Sequence, residues 1–322
     1  MYSIRARALV KTYSGGRGHE PVRALDGFDL DVPSGTVFGL LGPNGAGKST
    51  TVKILTTLAT ADSGSAEVAG IDVAADPRAV RRSIGLVSQL PSTIPIDTGR
   101  ENLVLAARLQ GLDARTARRR ANELLERFGL KDAADRRAST YSGGMARKLD
   151  VAMGLVHTPK VLFLDEPTTG LDPEARADMW AEIARLAEVD EVTVLLTTHY
   201  LDEADQLADQ LAIVNSGRVV VTGTPAELKG ALRGETVTVD FADETTARRA
   251  ATVLGSALRE PSRLGTSVHG RSADGATAVP ALIGALEHAG LSAAGVSVAQ
   301  PSLDDVYLHH VGHRYAAEEA AA

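Results

Sequence analysis

Residues 42–50 read GPNGAGKST, which is the pattern Gly-x-x-x-x-Gly-Lys-[Ser/Thr] of a phosphate-binding P-loop. They follow an apolar run, Val37 to Leu41, that has the length and composition of a buried strand. Glycines allow the backbone to curl around phosphates and turn its N–H groups inward, and the start of the following helix also favours anions. The sequence therefore predicts a nucleoside triphosphate site on an α/β fold of the P-loop NTPase (RecA-like) type.

The polar side chains of this loop have expected roles. Lys48 would reach the terminal phosphates, and the hydroxyl of Ser49 would bind a magnesium ion. The alternative is that residues 42–50 form a glycine-rich turn before an ordinary helix. A chance match to the P-loop pattern directly after a strand is much rarer than a chance match alone. The predicted nucleotide-contacting residues of the loop are Gly42, Pro43, Asn44, Gly45, Ala46, Gly47, Lys48, Ser49 and Thr50.

Composition limits the classes of protein to which the chain can belong. With 322 residues, of which 44% are hydrophobic, it can bury a full core and form two domains. The net charge of -7 argues against general affinity for nucleic acid, which depends on clustered Lys and Arg, so no nucleic-acid partner is expected. The sequence has no cysteine, which excludes disulfides and thiolate metal sites.

The sequence also lacks the signals of membrane insertion and secretion. No apolar run approaches the roughly eighteen residues of a membrane helix. The first ten residues have no apolar block of the kind found in signal peptides. We therefore expect a cytoplasmic chain in which any membrane role depends on another chain.

Strand-like and helix-like segments alternate over residues 1–230, which predicts an α/β nucleotide-binding domain with a largely parallel sheet. Between about residues 98 and 160 the pattern becomes helical and indicates a helical insertion. Residues 230–234 read as a linker. Residues 231–322 follow a βαββαβ order, which predicts a small C-terminal α+β domain of the ferredoxin-like plan.

A second apolar run, residues 161–166, reads VLFLDE and ends in two carboxylates. A buried parallel strand delivers such acids to the carboxyl edge of a sheet, where ligands bind. Asp165 would hold magnesium, while Glu166 would orient and polarise the water that attacks the γ-phosphate. The alternative is a strand that ends in Asp-Glu-Pro and caps the next helix, and the P-loop makes the catalytic interpretation the preferred one.

Further polar residues follow predicted strands or precede a helix. Gln89 ends a strand-like run and could bind magnesium and sense the γ-phosphate. His199 ends a similar run and could hydrogen-bond the γ-phosphate or the attacking water, although a lone histidine there is more often structural. Ser142, Gly143 and Gly144 precede a helix-like run and form a second candidate anion site, although a chance turn explains Ser-Gly-Gly about as well.

Taken in order, these motifs resemble the ATP-binding cassette of ABC transporters. The resemblance implies that Glu166, His199 and Lys48 are catalytic, and that ATP and Mg²⁺ are bound. It adds Asp172, in a D-loop of sequence Gly-Leu-Asp, and Tyr13, which resembles the aromatic residue that stacks on adenine but could equally be a core residue. The implied nucleotide contacts outside the P-loop are Tyr13, Gln89, Ser142, Gly143, Gly144 and Asp172, and the implied magnesium ligands are Ser49, Gln89 and Asp165.

The signature sequence departs from the usual family pattern. It reads YSGGM, with Tyr141 and Met145 where the family usually has Leu and Gln, although drug-exporter relatives often carry this form. Backbone and serine contacts would survive the change, but a glutamine hydrogen bond would not, so ATP affinity or coupling is expected to differ. In the family, the signature of one cassette closes over ATP held by another, so one cassette per chain implies a homodimer.

The C-terminal region narrows the resemblance. Residues 301–308 read PSLDDVYL and, with the preceding strand and helix pattern, resemble the extension of daunorubicin/doxorubicin-resistance ATPase subunits. The alternative is a terminal amphipathic helix, begun by a capping box from Ser302 to Asp305, that packs on its own domain. The resemblance implies the ATPase subunit of a drug exporter, attached to the cytoplasmic face of the cell membrane through an integral membrane permease on a separate chain. Alternatives are a non-transport ATPase acting on nucleic acid or ribosomes, a regulatory ATP-binding module, and an exporter of lipid, peptide or polysaccharide.

Overall fold

The structure, a computed structural model, describes residues 1–14, 20–232, 234–255, 257–273 and 275–311. The chain divides into two compact units, the first covering Met1–Pro225 and the second beginning at Ala226. The predicted linker at residues 230–234 is wrong in part, because Gly230 lies inside a helix that ends at Ala231. The extent of the C-terminal domain stays a prediction, since residues 312–322 lie outside the described residues.

The strands of the first unit are β1 (Tyr2–Tyr13), β2 (Val22–Pro33), β3 (Val37–Leu41), β4 (Ser63–Val68), β5 (Ile71–Asp72), β6 (Ile84–Val87), β7 (Val161–Asp165), β8 (Thr193–Thr198), β9 (Gln210–Asn215) and β10 (Arg218–Gly223). Its helices are α1 (Lys48–Leu55), α2 (Pro77–Ser83), α3 (Gly99–Leu109), α4 (Ala114–Arg127), α5 (Gly143–Gly154), α6 (Pro173–Glu188) and α7 (Leu201–Leu207). The remaining elements are α8 (Pro225–Ala231), β11 (Glu235–Asp240), α9 (Glu244–Leu254), β12 (Arg259–Leu264), β13 (Ser267–Ser272), α10 (Gly275–His288), β14 (Gly295–Ala299) and α11 (Leu303–Val311).

The central sheet of the first unit has the strand order β10-β9-β3-β8-β7-β6. The strands from β9 to β6 are parallel neighbours, and β10 pairs antiparallel with β9 at one edge. β3 and β8 are buried along their whole length, as expected for strands of a sheet that is covered on both faces. The predicted α/β class is confirmed, and the carboxyl ends of β3, β6, β7 and β8 lie along one edge.

A second sheet, β2-β1-β4-β5, is antiparallel and lies outside the largely parallel plan that the sequence predicts. β1 and β2 are each 12 residues long and pair along their length. Their residues Ile4, Leu9, Phe28 and Leu30 are buried in a core cluster that also contains Phe38 of β3. Local alternation does not show which strands pair, so the sequence pattern could not separate this sheet from the central one.

The helices α3, α4 and α5 fill the chain between β6 and β7, which agrees with the helical insertion predicted for residues 98–160. α3 begins at a capping box in which Thr98 and Glu101 exchange hydrogen bonds. α4 buries one face through Ala117, Ala121 and Leu124. Within the described ranges, no helix is both long and apolar enough to cross a lipid bilayer.

The second unit is built on an antiparallel sheet of order β12-β13-β11-β14. Its order along the chain, β11-α9-β12-β13-α10-β14, is the predicted βαββαβ plan. One face of the sheet packs on the helices α9 and α10, with Val237, Val239 and Val268 meeting Leu254 and Leu282 in a single apolar cluster. Alternate strand residues therefore form the core of this unit.

The helix α11 begins at the predicted capping box. The amide of Ser302 donates to Asp305 Oδ2 at 2.9 Å, and the amide of Asp305 donates to Ser302 Oγ at 3.2 Å. Leu303, Val306 and Tyr307 are buried, and Asp305 accepts a hydrogen bond from Thr236 of β11. This arrangement is the one expected for a terminal amphipathic helix that packs on its own domain.

Candidate functional site

The P-loop lies between the buried strand β3 and the helix α1, and two of its glycines are required by close backbone contacts. A Cβ on Gly42 would collide with the carbonyl oxygen of Val214. Gly47 has φ 112°, and a Cβ there would lie 2.6 Å from the carbonyl oxygen of Ala24. The loop therefore keeps its curled path only with glycine at both positions.

Lys48 begins α1 and is only 8% exposed. Its ammonium group donates to the carbonyl oxygen of Gly42 and, at 3.2 Å, to that of Pro43. The lysine thus lies across its own loop. The next residue, Ser49, is exposed in the first turn of α1, and Asn44 is exposed at the outer side of the loop. The loop therefore presents its backbone, a cation and a hydroxyl at the edge of the sheet.

The end of β7, which carries the two predicted carboxylates, is held by a threonine of β8. Thr197, which pairs with Asp165 in the parallel register, donates its hydroxyl to Asp165 Oδ1 at 2.5 Å. The amide of Glu166 donates to the carbonyl oxygen of Thr197 at 3.0 Å. Glu166 has φ 48°, which a non-glycine residue adopts rarely and often at functional sites. The left-handed conformation of Glu166 follows directly after Asp165, the last residue of β7.

The side chain of Glu166 contacts both of the other predicted strand-end residues. Its Oε1 lies 3.1 Å from Nδ1 of His199, and its Oε2 accepts a hydrogen bond of 3.0 Å from Nε2 of Gln89. The hydrogen bond with His199 lowers the pKa of Glu166, and the charges of His199 and Lys48 lower it further, against the opposing effect of burial. Glu166 is therefore ionised at neutral pH.

The signature residues begin the helix α5. Ser142 is its N-cap and accepts a hydrogen bond of 3.3 Å from the amide of Met145, while Ser142 and Gly143 are exposed. The two departures from the family pattern have packing contacts: Tyr141 donates its hydroxyl to the carbonyl oxygen of Ala133 at 2.7 Å, and Met145 packs against the apolar core. Both side chains thus point into the helical region.

Two further predicted residues have defined local contacts. Asp172 is the N-cap of α6, where its carboxylate accepts a hydrogen bond of 2.8 Å from the amide of Ala175. Tyr13 is the last residue of β1 and is 40% exposed, with Nζ of Lys11 at 5.5 Å from the ring centroid. The core alternative for Tyr13 is therefore wrong, because the ring is accessible.

Several residues around the site were missed at the sequence level. Glu203 of α7 is fully buried, and its Oε1 accepts hydrogen bonds from Thr168 at 2.7 Å and from the indole of Trp180 at 3.2 Å. Thr197 and Arg147 also hold the backbone at the end of β7. Thr197 could have been found from the sequence by aligning the strand that ends in Asp165 with the strand before His199 in parallel register. No local pattern marks Glu203 or Arg147.

The edge of the sheet carries a P-loop after β3 and an acid pair at the end of β7, and Gln89 and His199 follow the two strands that flank β7. These features define a P-loop ATPase of the ATP-binding cassette class. The family model of the ABC transporter matches residues 25–169. The chain is 45% identical to the daunorubicin resistance ATP-binding protein DrrA2 of Streptomyces coeruleorubidus, over 99% of this chain and 98% of that protein. It is also 45% identical to the daunorubicin/doxorubicin resistance ATP-binding protein DrrA of Streptomyces peucetius, over 97% of this chain and 93% of that protein. The chain therefore belongs to the DrrA family of ABC transporter ATP-binding proteins.

Solved structures of ATP-binding cassettes match the larger part of the chain. The ATP-binding cassette MJ0796, in a dimeric post-hydrolysis state with ADP and Pi, matches with a TM-score of 0.63 and 26% identity, over 69% of this chain and 98% of that one. cbiO1 from Clostridium perfringens, part of the ABC transporter complex cbiONQ, matches with a TM-score of 0.64 and 27% identity, over 71% of this chain and 91% of that one. The protein is thus a nucleotide-binding ABC-type ATPase.

Proposed function

We propose that this chain is the ATP-hydrolysing subunit of an exporter of drugs such as daunorubicin and acts through a separate membrane permease. The observation that carries the proposal is the contact of Glu166 with both His199 and Gln89 at the sheet edge that bears the P-loop. An ionised carboxylate in this position suits a residue that orients water, and its neighbours suit recognition of a γ-phosphate. The drug class comes from the names of the relatives and rests on them.

The residues of the site fit ATP and magnesium. Mg²⁺ is usually bound through one or two carboxylates together with substrate phosphates, so the single acid Asp165 with Ser49 and Gln89 is a suitable donor set. When bound, the ion would neutralise charge on the β- and γ-phosphates. Lys48 would leave its loop carbonyls for the terminal phosphates, and Glu166 would align water for in-line attack.

A second copy of the chain would complete each site. Ser142 and Gly143 are exposed at the start of α5, where backbone N–H groups and the helix dipole favour an anion. The solved cassette MJ0796 is a dimer with ADP and Pi. We propose a homodimer in which the signature of each copy closes over ATP on the other, with Asp172 in the D-loop next to this interface and the exposed ring of Tyr13 stacked on adenine.

The permease would dock on an exposed apolar surface that follows Gln89. Leu90 is 77% exposed and Ile96 is 75% exposed, and the partly exposed Ile94 and Leu105 lie in the same segment of the chain. Exposed apolar residues clustered in one region commonly mark an interaction site. Their position directly after Gln89 would link the nucleotide site to the permease, and the docked chain would lie on the cytoplasmic face of the cell membrane.

Replacing an apolar residue of this surface should separate ATP hydrolysis from membrane attachment. We expect Leu90→Ser to lower the fraction of the chain retained on washed membranes that contain the permease by about tenfold, because buried apolar contact area is lost. The ATPase activity of the purified chain should stay within about twofold of wild type. Leu58→Ser is the matched control, since Leu58 is also exposed but lies elsewhere in the first unit. Equal retention of the two variants would contradict this docking surface.

Transport itself can be measured in inverted membrane vesicles that contain the chain and its permease. We expect ATP-dependent accumulation of daunorubicin with the wild-type chain and none with the Glu166→Gln variant, because transport requires hydrolysis. Vesicles lacking the chain are the control for passive partitioning of the drug. ATP-dependent uptake of labelled lipid or peptide but not of daunorubicin would move the assignment to another exported substrate.

A further inference from the structure

Arg147 joins the signature helix to both loops that carry the residues facing the γ-phosphate. It lies on α5 and is only 8% exposed. Its Nε donates to the carbonyl oxygen of Pro167 at 2.8 Å, and its Nη1 donates to that of Ser88 at 2.7 Å. Its Nη2 donates to the carbonyl oxygens of Asp165 at 2.9 Å and of Glu166 at 3.1 Å. One guanidinium therefore satisfies four backbone acceptors in two separate loops.

The acceptors lie at functionally placed points of the chain. Ser88 comes directly before Gln89, after the end of β6, and the other three carbonyls belong to the turn in which Glu166 has φ 48°. β6 and β7 are parallel neighbours, so their ends must be held at a fixed separation for Gln89 to meet Glu166. A planar fork of N–H groups can do this, whereas the compact ammonium of a lysine cannot reach all four acceptors.

Asp150, also on α5, holds the other end of the loop after Gln89. It is 4% exposed, and its Oδ1 accepts a hydrogen bond of 2.9 Å from the amide of Ser92. Burial raises the pKa of Asp150 and lowers that of Arg147, while each charge favours ionisation of the other. The helix that starts at the signature is thus bonded on both sides of Gln89 and of the exposed Leu90.

We propose that Arg147 is a positioning residue for ATP hydrolysis, which holds Gln89 and Glu166 in register and couples their loops to the signature helix. Its bonds go to backbone carbonyls, so it acts through these residues and not on the reacting atoms. The inference rests on the proposed function, because it assigns Arg147 a part in that hydrolysis. It also predicts that, when the loops of Gln89 and Glu166 shift in one copy of the chain, the signature helix α5 of the same copy shifts with them.

The kinetic arm of the test compares Arg147→Lys, which keeps the charge, and Arg147→Met with Lys148→Met. Lys148 is the next residue of the same helix, and its ammonium group pairs with Asp178 near the surface. We expect kcat to fall by about tenfold or more in both Arg147 variants while the Kd for ATP stays within about threefold, because displacement of catalytic groups affects turnover more than binding. Lys148→Met should keep the wild-type kcat. A kcat for Arg147→Lys equal to that of the control would overturn the proposal.

The second arm measures amide hydrogen exchange of the full chain without nucleotide. In Arg147→Lys, peptides covering residues 88–93 and 165–170 should exchange faster than in wild type, whereas peptides of β9 and β10 should not change. Unchanged exchange in both segments overturns the inference, and so does a rise spread evenly over the chain, which would indicate general destabilisation. If the wild-type chain shows no turnover, the proposed function fails, and the exchange result still decides the role of Arg147.

Discussion

The variant Glu166→Gln should bind ATP with nearly wild-type affinity and lose steady-state hydrolysis. The substitution keeps the size of the side chain and a hydrogen-bonding oxygen for Gln89, but removes the carboxylate charge that pairs with His199. Residues that position or deprotonate a nucleophile typically contribute about 10²- to 10⁴-fold in rate. We therefore expect kcat for phosphate release to fall by about that factor, and ATP-bound dimers to accumulate on size-exclusion chromatography.

The control for this experiment is Glu188→Gln, an identical chemical change at an exposed residue in the last turn of α6. It should release phosphate at the wild-type rate, which excludes a general effect of one lost carboxylate on the fold. Wild-type phosphate release by Glu166→Gln would refute the role assigned to Glu166. Loss of ATP binding in that variant would instead place the carboxylate among the binding groups.

The second large effect is expected at Lys48. In this structure its ammonium group bonds to the carbonyl oxygens of Gly42 and Pro43, so it is available to exchange these neutral acceptors for charged phosphate oxygens. A hydrogen bond to a charged group contributes about 1.5–3 kcal/mol, so Lys48→Met should weaken ATP binding by at least about tenfold. Equilibrium titration with a fluorescent ATP analogue measures this loss directly.

Lys53→Met serves as the matched control, because Lys53 is on the same helix α1 but exposed in its last turn. It should bind the analogue as the wild-type chain does. Thermal unfolding of both variants without nucleotide separates an effect on binding from an effect on folding. Tight binding by Lys48→Met would show that the backbone of the loop alone holds the phosphates.

The site could be predicted from sequence because its residues follow short, strongly apolar strands. Once β6, β7 and β8 are parallel, Gln89, Glu166 and His199 must lie at the same edge, and the structure brings their side chains into contact. The P-loop can be recognised from a local glycine pattern alone. The structure shows why glycine is required at Gly47, where φ is positive and a Cβ would collide with the carbonyl oxygen of Ala24. Predictions of this kind depend on the local sequence pattern and on the rule that ligands bind at the carboxyl ends of parallel strands.

The residues that escaped prediction depend on tertiary contacts. Arg147 would be read from sequence as an ordinary basic residue of a helix, and only the folded chain shows that its N–H groups reach two loops. Tyr141 looks like a substitution in the signature, but its hydroxyl bonds to a carbonyl of the helical region. The antiparallel sheet of β1 and β2 was missed for the same reason, since strand pairing across the chain leaves no local signal.

Trp180 is the single tryptophan of the chain, and its N–H bonds to the buried carboxylate of Glu203, which also bonds to Thr168, two residues after Glu166. Indole emission responds to nearby charge and polarity. The tryptophan emission of the chain therefore comes from one known position on α6, the helix that Asp172 caps. If two copies close over ATP as proposed, we expect this emission, followed by stopped-flow spectroscopy on unlabelled protein, to change on closure and to return on reopening.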